Sequence, residues 1–257
     1  MIVPFDTVFL QPLLQGAKLL KIAVIDNRIQ FYLVILHSLQ QVSTNKKHST
    51  MKVLLVNGSP HPHGCTHTAL QEVAEQLHQQ GIETEEIWCG NKPVMGCIGC
   101  GKCVATRRCW YTNDTVNEFL AKAEEADGFV FGTPIHFAGT SGAIKPFMDR
   151  AFCSKMGMYA NKPAAGIVSC RRGGAQGGFE DLNRYFTIAN MPVVSSNYWN
   201  EVHGNNPEEV KQDLEGMQTM RQLGRNMAWL LHCIEAGKKA GIALPEQEAK
   251  IKTNFIR

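Results

Sequence analysis

No run of roughly twenty apolar residues occurs in the chain, so no membrane-crossing helix is expected. The apolar clusters of the first fifty residues (9–10, 19–20 and 31–36) are broken by Lys18, Lys21, Asp26 and Arg28. No charged, apolar and small-residue segments follow one another as a secretory signal requires. Excess charge is missing as well. Five of the 26 Lys and Arg and two of the 23 Asp and Glu fall within residues 1–50, which leaves 21 of each sign from Met51 onward. A formally neutral domain offers no electrostatic footprint for nucleic acid. There is no internal repeat, which removes solenoids, and no Gly-Lys-Ser/Thr loop or GxGxxG, which removes the common nucleotide-binding motifs. Two CxxC pairs set well apart, the usual zinc pattern, are also missing.

Cysteine, by contrast, is plentiful. Nine cysteines without a secretory signal suit a reducing, cytoplasmic compartment, where thiols serve as ligands or nucleophiles more often than as disulfides.

The stretch 51–70 organises the rest. Residues 52–56 are apolar and rich in branched side chains, as in a buried parallel strand. Gly58-Ser59-Pro60 stops that strand, and apolar residues recur at helical spacing from Ala69 to Leu77. Between them lie Ser59, Thr66 and Thr68, hydroxyls at a helix N-terminus, where backbone N–H groups favour a phosphate monoester. A capped helix of any α/β protein, with Thr66 as the cap, fits the same residues.

From Met51 onward strand and helix alternate. Further strands are expected over 83–88, 127–132, 164–169 and 192–196, and helices over 114–126, 179–189 and 208–237, with residues 173–178 a flexible glycine-rich loop. Five βα units predict a doubly wound α/β fold, a five-stranded parallel sheet with helices on both faces and ligands at the carboxyl ends of its strands. Residues 51–241 form this domain and 242–257 a tail. Residues 1–50, separated by the polar tract 43–50, are expected to lie outside the domain as an extension upstream of its natural start; a helical appendage is the alternative.

A second constellation is Cys97, Cys100, Cys103 and Cys109, spaced CxxCxxC and then five residues before the last. Three thiols so close, with Gly99 and Gly101 allowing a tight wrap, suit an iron–sulfur cluster better than tetrahedral zinc. A redox-active or structural thiol group is the alternative. His203 is the one loop residue that suggests a catalytic acid, although its segment also suits a cap over the site or a subunit interface.

Gly58-Ser59-Pro60, and then the run from Thr133 through Pro134, Ile135, His136 and Phe137 to Lys145-Pro146-Phe147-Met148-Asp149-Arg150, resemble the flavodoxin-fold NAD(P)H-dependent FMN reductases. The resemblance extends from Met51 to the final helix and implies a flavodoxin-like sheet of strand order 2-1-3-4-5. Carried over, it implies that Ser59, His61, Cys65, Thr66, His67 and Thr68 hold the FMN phosphate. Pro134, Ile135, His136 and Phe137 would flank the ring, with Ser169, Arg172, Gly173 and Gly174 closing the other side. His61 stands where that family often has Arg, and His136 where Tyr is common, so both contacts would follow pH. The cysteine spacing resembles the iron–sulfur flavoprotein branch, which carries one [4Fe–4S] cluster.

The resemblance thus implies an NAD(P)H-dependent FMN or quinone reductase acting on a small-molecule acceptor and assembled as a homodimer or homotetramer. An iron–sulfur electron carrier fed by a ferredoxin is the alternative, and a metal or thiol binding module without flavin is the third reading. FMN needs only to be bound, oriented and tuned, so no catalytic residue is assigned.

Overall fold

The computed structural model of the chain describes residues 50–249, 251 and 253. The extension expected over residues 1–50 lies, but for Thr50, outside the described residues. Strands β1 (Lys52–Asn57), β2 (Glu83–Trp88), β3 (Gly128–His136), β5 (Ala164–Cys170) and β6 (Glu201–His203) form one parallel sheet in the order β2-β1-β3-β5-β6. Counting parallel strands alone, this is the expected order 2-1-3-4-5. A two-residue strand β4 (Gly139–Thr140) folds back antiparallel on the end of β3. The helices are α1 (Cys65–Gln79), α2 (Cys103–Thr106), α3 (Val116–Ala123), α4 (Ile144–Lys155), α5 (Ala175–Ile188), α6 (Pro207–Gln212) and α7 (Leu214–Lys239).

Alternation along the strands divides the core into two layers. Leu54, Val56, Phe129 and Phe131 face the layer that includes Phe119 of α3, Phe147 of α4 and Leu182 of α5. Val53, Leu55 and Val130 face the opposite layer, with Leu70 and Val73 of α1 and Met220, Leu223 and Met227 of α7. Each face is closed, so the usable surface of the sheet is its edge.

Three local expectations are corrected. Residues 192–196 touch the sheet only through an isolated bridge between Val193 and Ala164. Pro192 has no N–H to donate, and Ser196 then turns the chain away by accepting the Tyr198 N–H and bonding Asn200. The fifth strand is β6 instead, entered through buried Asn200, whose side-chain amide donates to the Gly166 carbonyl. The helix expected over 208–237 is two helices, because Asp213 (ψ 80°) leaves the helical region and caps α7 through the Gly216 N–H. The glycine-rich stretch 173–178 is largely the first turn of α5 rather than a flexible loop. Its Gly178 is a packing residue, since a Cβ there would lie 2.3 Å from Ile135 Cδ1.

Candidate functional site

The carboxyl ends of β1, β2, β3 and β5 open on one edge of the sheet. After β1 the chain passes so close to β3 that a Cβ on Gly58 would lie 3.0 Å from the Gly132 carbonyl, to which Gly58 donates its own N–H. Ser141, buried after β4, donates its hydroxyl to the Gly58 carbonyl at 2.6 Å. Ser59 donates its N–H to Asn57 Oδ1 and its carbonyl accepts the Trp88 indole N–H at 2.7 Å. The loop is therefore held from β1, β2 and the turn after β4 before any ligand arrives. Asn57, Trp88 and Ser141 do this holding, and sequence reasoning assigned none of them a role: Asn57 and Trp88 simply end strands, and Ser141 lies within the run 133–150 without being marked as a contact.

Helix α1 then begins at Gly64 with no side-chain cap. An uncapped N-terminus leaves its first N–H groups, here those of Cys65, Thr66 and His67, free for an anion. Side chains contribute less than expected. Thr66 is 1% exposed and its hydroxyl pairs with Ser169 at 2.8 Å, joining the first loop to the end of β5. Thr68 Oγ1 donates to the Gly64 carbonyl. His67 Nδ1 lies 2.8 Å from Glu86 of β2. Cys65 donates to the Gly204 carbonyl, and burial raises its thiol pKa. His61 is exposed, its N–H bonded to Ser59 Oγ.

On the other side, Pro134 pairs in register with Ser169. Ile135 lies half-buried over α5, while His136 and Phe137 form the tip of the β3–β4 hairpin, Phe137 fully exposed at φ 58°. Arg172 and Gly173 are exposed, and Gly174 (φ 88°) stands at the N-terminus of α5 beside Ile135. A cavity of about 270 Å3 lies between Pro60, residues 90–94, His136 and residues 141–143. Residues 90–94 follow the end of β2, which puts them at this edge, but no motif marked them as lining it. His203 is not a loop residue: it sits in β6 with its N–H on Asp213.

The segment after residue 94 forms the second constellation. Cys97, Cys100, Cys103 and Cys109 all line one cavity of about 140 Å3, together with Arg150 and Cys153 of α4. Gly99, Gly101 and Arg107 adopt positive φ, which wraps the chain around it. Among the described residues, no three ligating side chains close on a point that would hold a single ion. A cubane cluster binds each thiolate at a separate iron, so thiols spread around one cavity fit it where a lone zinc would need them convergent.

Arg150 anchors this segment. Its side chain is 2% exposed, and Nε donates to Cys109 Sγ at 3.2 Å. The guanidinium also donates to the Met95 and Tyr111 carbonyls and forms a buried ion pair with Asp114. Burial pulls the Arg150 pKa down, but the hydrogen bonds to Asp114 and Cys109 outweigh it and hold it raised. Asn117 of α3 fixes the backbone of Cys109 from the other side, accepting its N–H and donating to its carbonyl. Cys153 is exposed on one side, but partial desolvation on the other and the neighbouring Cys103 and Cys97 thiols push its thiol up to about 11.

A doubly wound parallel sheet with an open carboxyl edge and a first loop that leads into an uncapped helix N-terminus defines a flavodoxin-like protein. A family model described as NADPH-dependent FMN reductase matches residues 51–206, and the chain belongs to that family. It is 34% identical over 193 residues to an iron–sulfur flavoprotein of Methanocaldococcus jannaschii, covering 72% of this chain and 100% of the relative. It is 24% identical over 193 residues to an iron–sulfur flavoprotein of Methanosarcina thermophila, covering 73% and 99%. Among solved structures, a WrbA-like flavodoxin of Agrobacterium tumefaciens shares the fold with a TM-score of 0.54 at 17% identity, over 72% of this chain and 99% of that one. The chain is an oxidoreductase of the flavodoxin-like class. No helix among the described residues is long and apolar enough to cross a membrane.

Proposed function

We propose that the chain binds FMN at the edge formed by β1, β3 and β5, holds a [4Fe–4S] cluster on Cys97, Cys100, Cys103 and Cys109, and transfers electrons between them. The observation that carries this reading is that four cysteines, spaced CxxCxxC-x5-C, line one cavity whose segment adjoins the flavin edge through residues 90–95. Its relatives bearing the name iron–sulfur flavoprotein support it. When bound, the flavin would supply hydride and one-electron chemistry and the cluster one-electron transfer.

The chain's own residues bind and orient. The N–H groups of Cys65, Thr66 and His67 face the phosphate, with Ser59, His61 and Thr68 around it. Pro134, Ile135, His136 and Phe137 flank the ring on one side, with Ser169, Arg172, Gly173 and Gly174 on the other. Arg150 offsets thiolate charge at Cys109. The donor is a ferredoxin-class protein and the acceptor a small molecule, in a cytoplasmic compartment that keeps the nine free thiols reduced. NAD(P)H is the competing donor, favoured by the family's name. A homodimer or homotetramer would cover the exposed Phe137.

Anaerobic stopped-flow mixing separates the donors. Reduced ferredoxin should bleach the flavin within seconds, and replacing Cys100 by Ser should abolish this. Rapid bleaching by NADPH in iron-free protein, with none by ferredoxin, would leave a plain reductase.

A further inference from the structure

The cysteine cavity contains a fifth thiol that the CxxCxxC-x5-C pattern does not include. Cys153 lies on α4 one turn beyond Arg150, so the helix presents both side chains to the same segment. It lines the cavity with the four spaced cysteines, and Cys103 Sγ contacts the Cys153 carbonyl at 3.9 Å. Cys103 opens α2, a single turn packed against α4. Cys97 and Cys103 line the same cavity as Cys153, and it is Cys103 that meets the backbone of Cys153. Cys153 is also exposed, so a soluble oxidant can reach it.

We propose that Cys103 and Cys153 form a reversible disulfide whenever the cavity holds no iron. Glutathione disulfide serves as the oxidant. One protein thiolate attacks it, forming a mixed disulfide and releasing one glutathione. The second protein thiolate then displaces the other glutathione, so that one protein S–S bond forms, the glutathione S–S bond breaks, and both thiol protons end on glutathione. The bond removes one of the four spaced thiols from use, and iron can return only after reduction. The proposal concerns the cavity of the cluster reading but needs no iron in it, so the two fail separately.

Full-length protein depleted of iron is incubated with glutathione disulfide, alkylated and digested with trypsin. Residues 103–107 and 151–155 fall on separate short peptides, while Cys97 and Cys100 share a much longer one ending at Lys102. The dominant cross-link should join the two short peptides and disappear on treatment with a dithiol. In the Cys153→Ser protein that cross-link should be absent and Cys103 should carry glutathione instead. A dominant cross-link from Cys153 or Cys103 to any other cysteine, or Cys153 left free in oxidised protein, would overturn the proposal. Iron measured on untreated protein reports separately on the cluster.

Discussion

The loop after β1 and the segment after β2 face the same edge of the sheet but are built on opposite principles. In the first, Ser59 and Thr66 are buried, and the loop is held by β1, β2 and the turn after β4 through Asn57, Trp88 and Ser141. In the second, Cys97 and Cys100 are exposed, Ile98 and Val104 are 60% and 73% exposed, and the regular structure is one helical turn. Its fixed points are Arg150 and Asn117, which grip residues 95 and 109–114 and leave the chain between them to its cysteines. One site is preformed. On the proposed reading the other would be completed by its cluster, since binding energy at a metal site that is not preformed is also ordering energy.

The largest effect should follow from removing iron. Chelation should raise amide hydrogen exchange across residues 96–108 by orders of magnitude while residues 58–68 stay protected. Equal protection before and after would show that the cysteine segment is as preformed as the phosphate loop.

Next in size is Arg150→Met. Removing one partner of a buried pair leaves the Asp114 carboxylate uncompensated, which costs about 3–5 kcal/mol. Urea unfolding should register that loss, and an Arg150→Met, Asp114→Leu double variant should recover part of it. Without recovery, the anchor works through the carbonyls of Met95 and Tyr111 rather than through the ion pair.

Gly178→Ala should cost about 1–3 kcal/mol, because its Cβ must displace the Ile135 side chain. Since Ile135 is assigned to the ring side of the flavin, FMN release should quicken as stability falls. Unchanged release would remove Ile135 from the ring. The smallest effect is expected from Trp88→Phe, which loses one hydrogen bond to the Ser59 carbonyl, worth about 0.5–1.5 kcal/mol. Titration with FMN should show up to about a tenfold weaker affinity, with iron content unchanged.

The parallel sheet was legible because strands buried on both faces read as apolar runs alternating with helices, and its order was implied by the family resemblance. Its fifth strand was misplaced because Pro192 to Ser196 has strand-like composition, while the true strand is three residues long and is set by Asn200 reaching Gly166. The glycines at 173–178 suggested a loop because their reason for being small, Ile135 lying on Gly178, is a tertiary contact. The four spaced cysteines were legible from spacing alone. Arg150 and Cys153 were not, because they sit on a helix forty or more residues further on, and only packing brings α4 against the segment. Thr66 shows the converse: it was chosen for its hydroxyl, which is spent on Ser169, so on the proposed reading only its N–H would remain for the phosphate.

Iron and FMN measured together in anaerobically purified Cys100→Ser protein, against its parent, test the independence of the two sites most directly. The parent should hold about four irons and one FMN per chain, and the variant should lose the iron and keep the flavin. Loss of both from the variant, or a parent full of FMN and free of iron, would contradict a preformed flavin site standing beside a cluster-completed one.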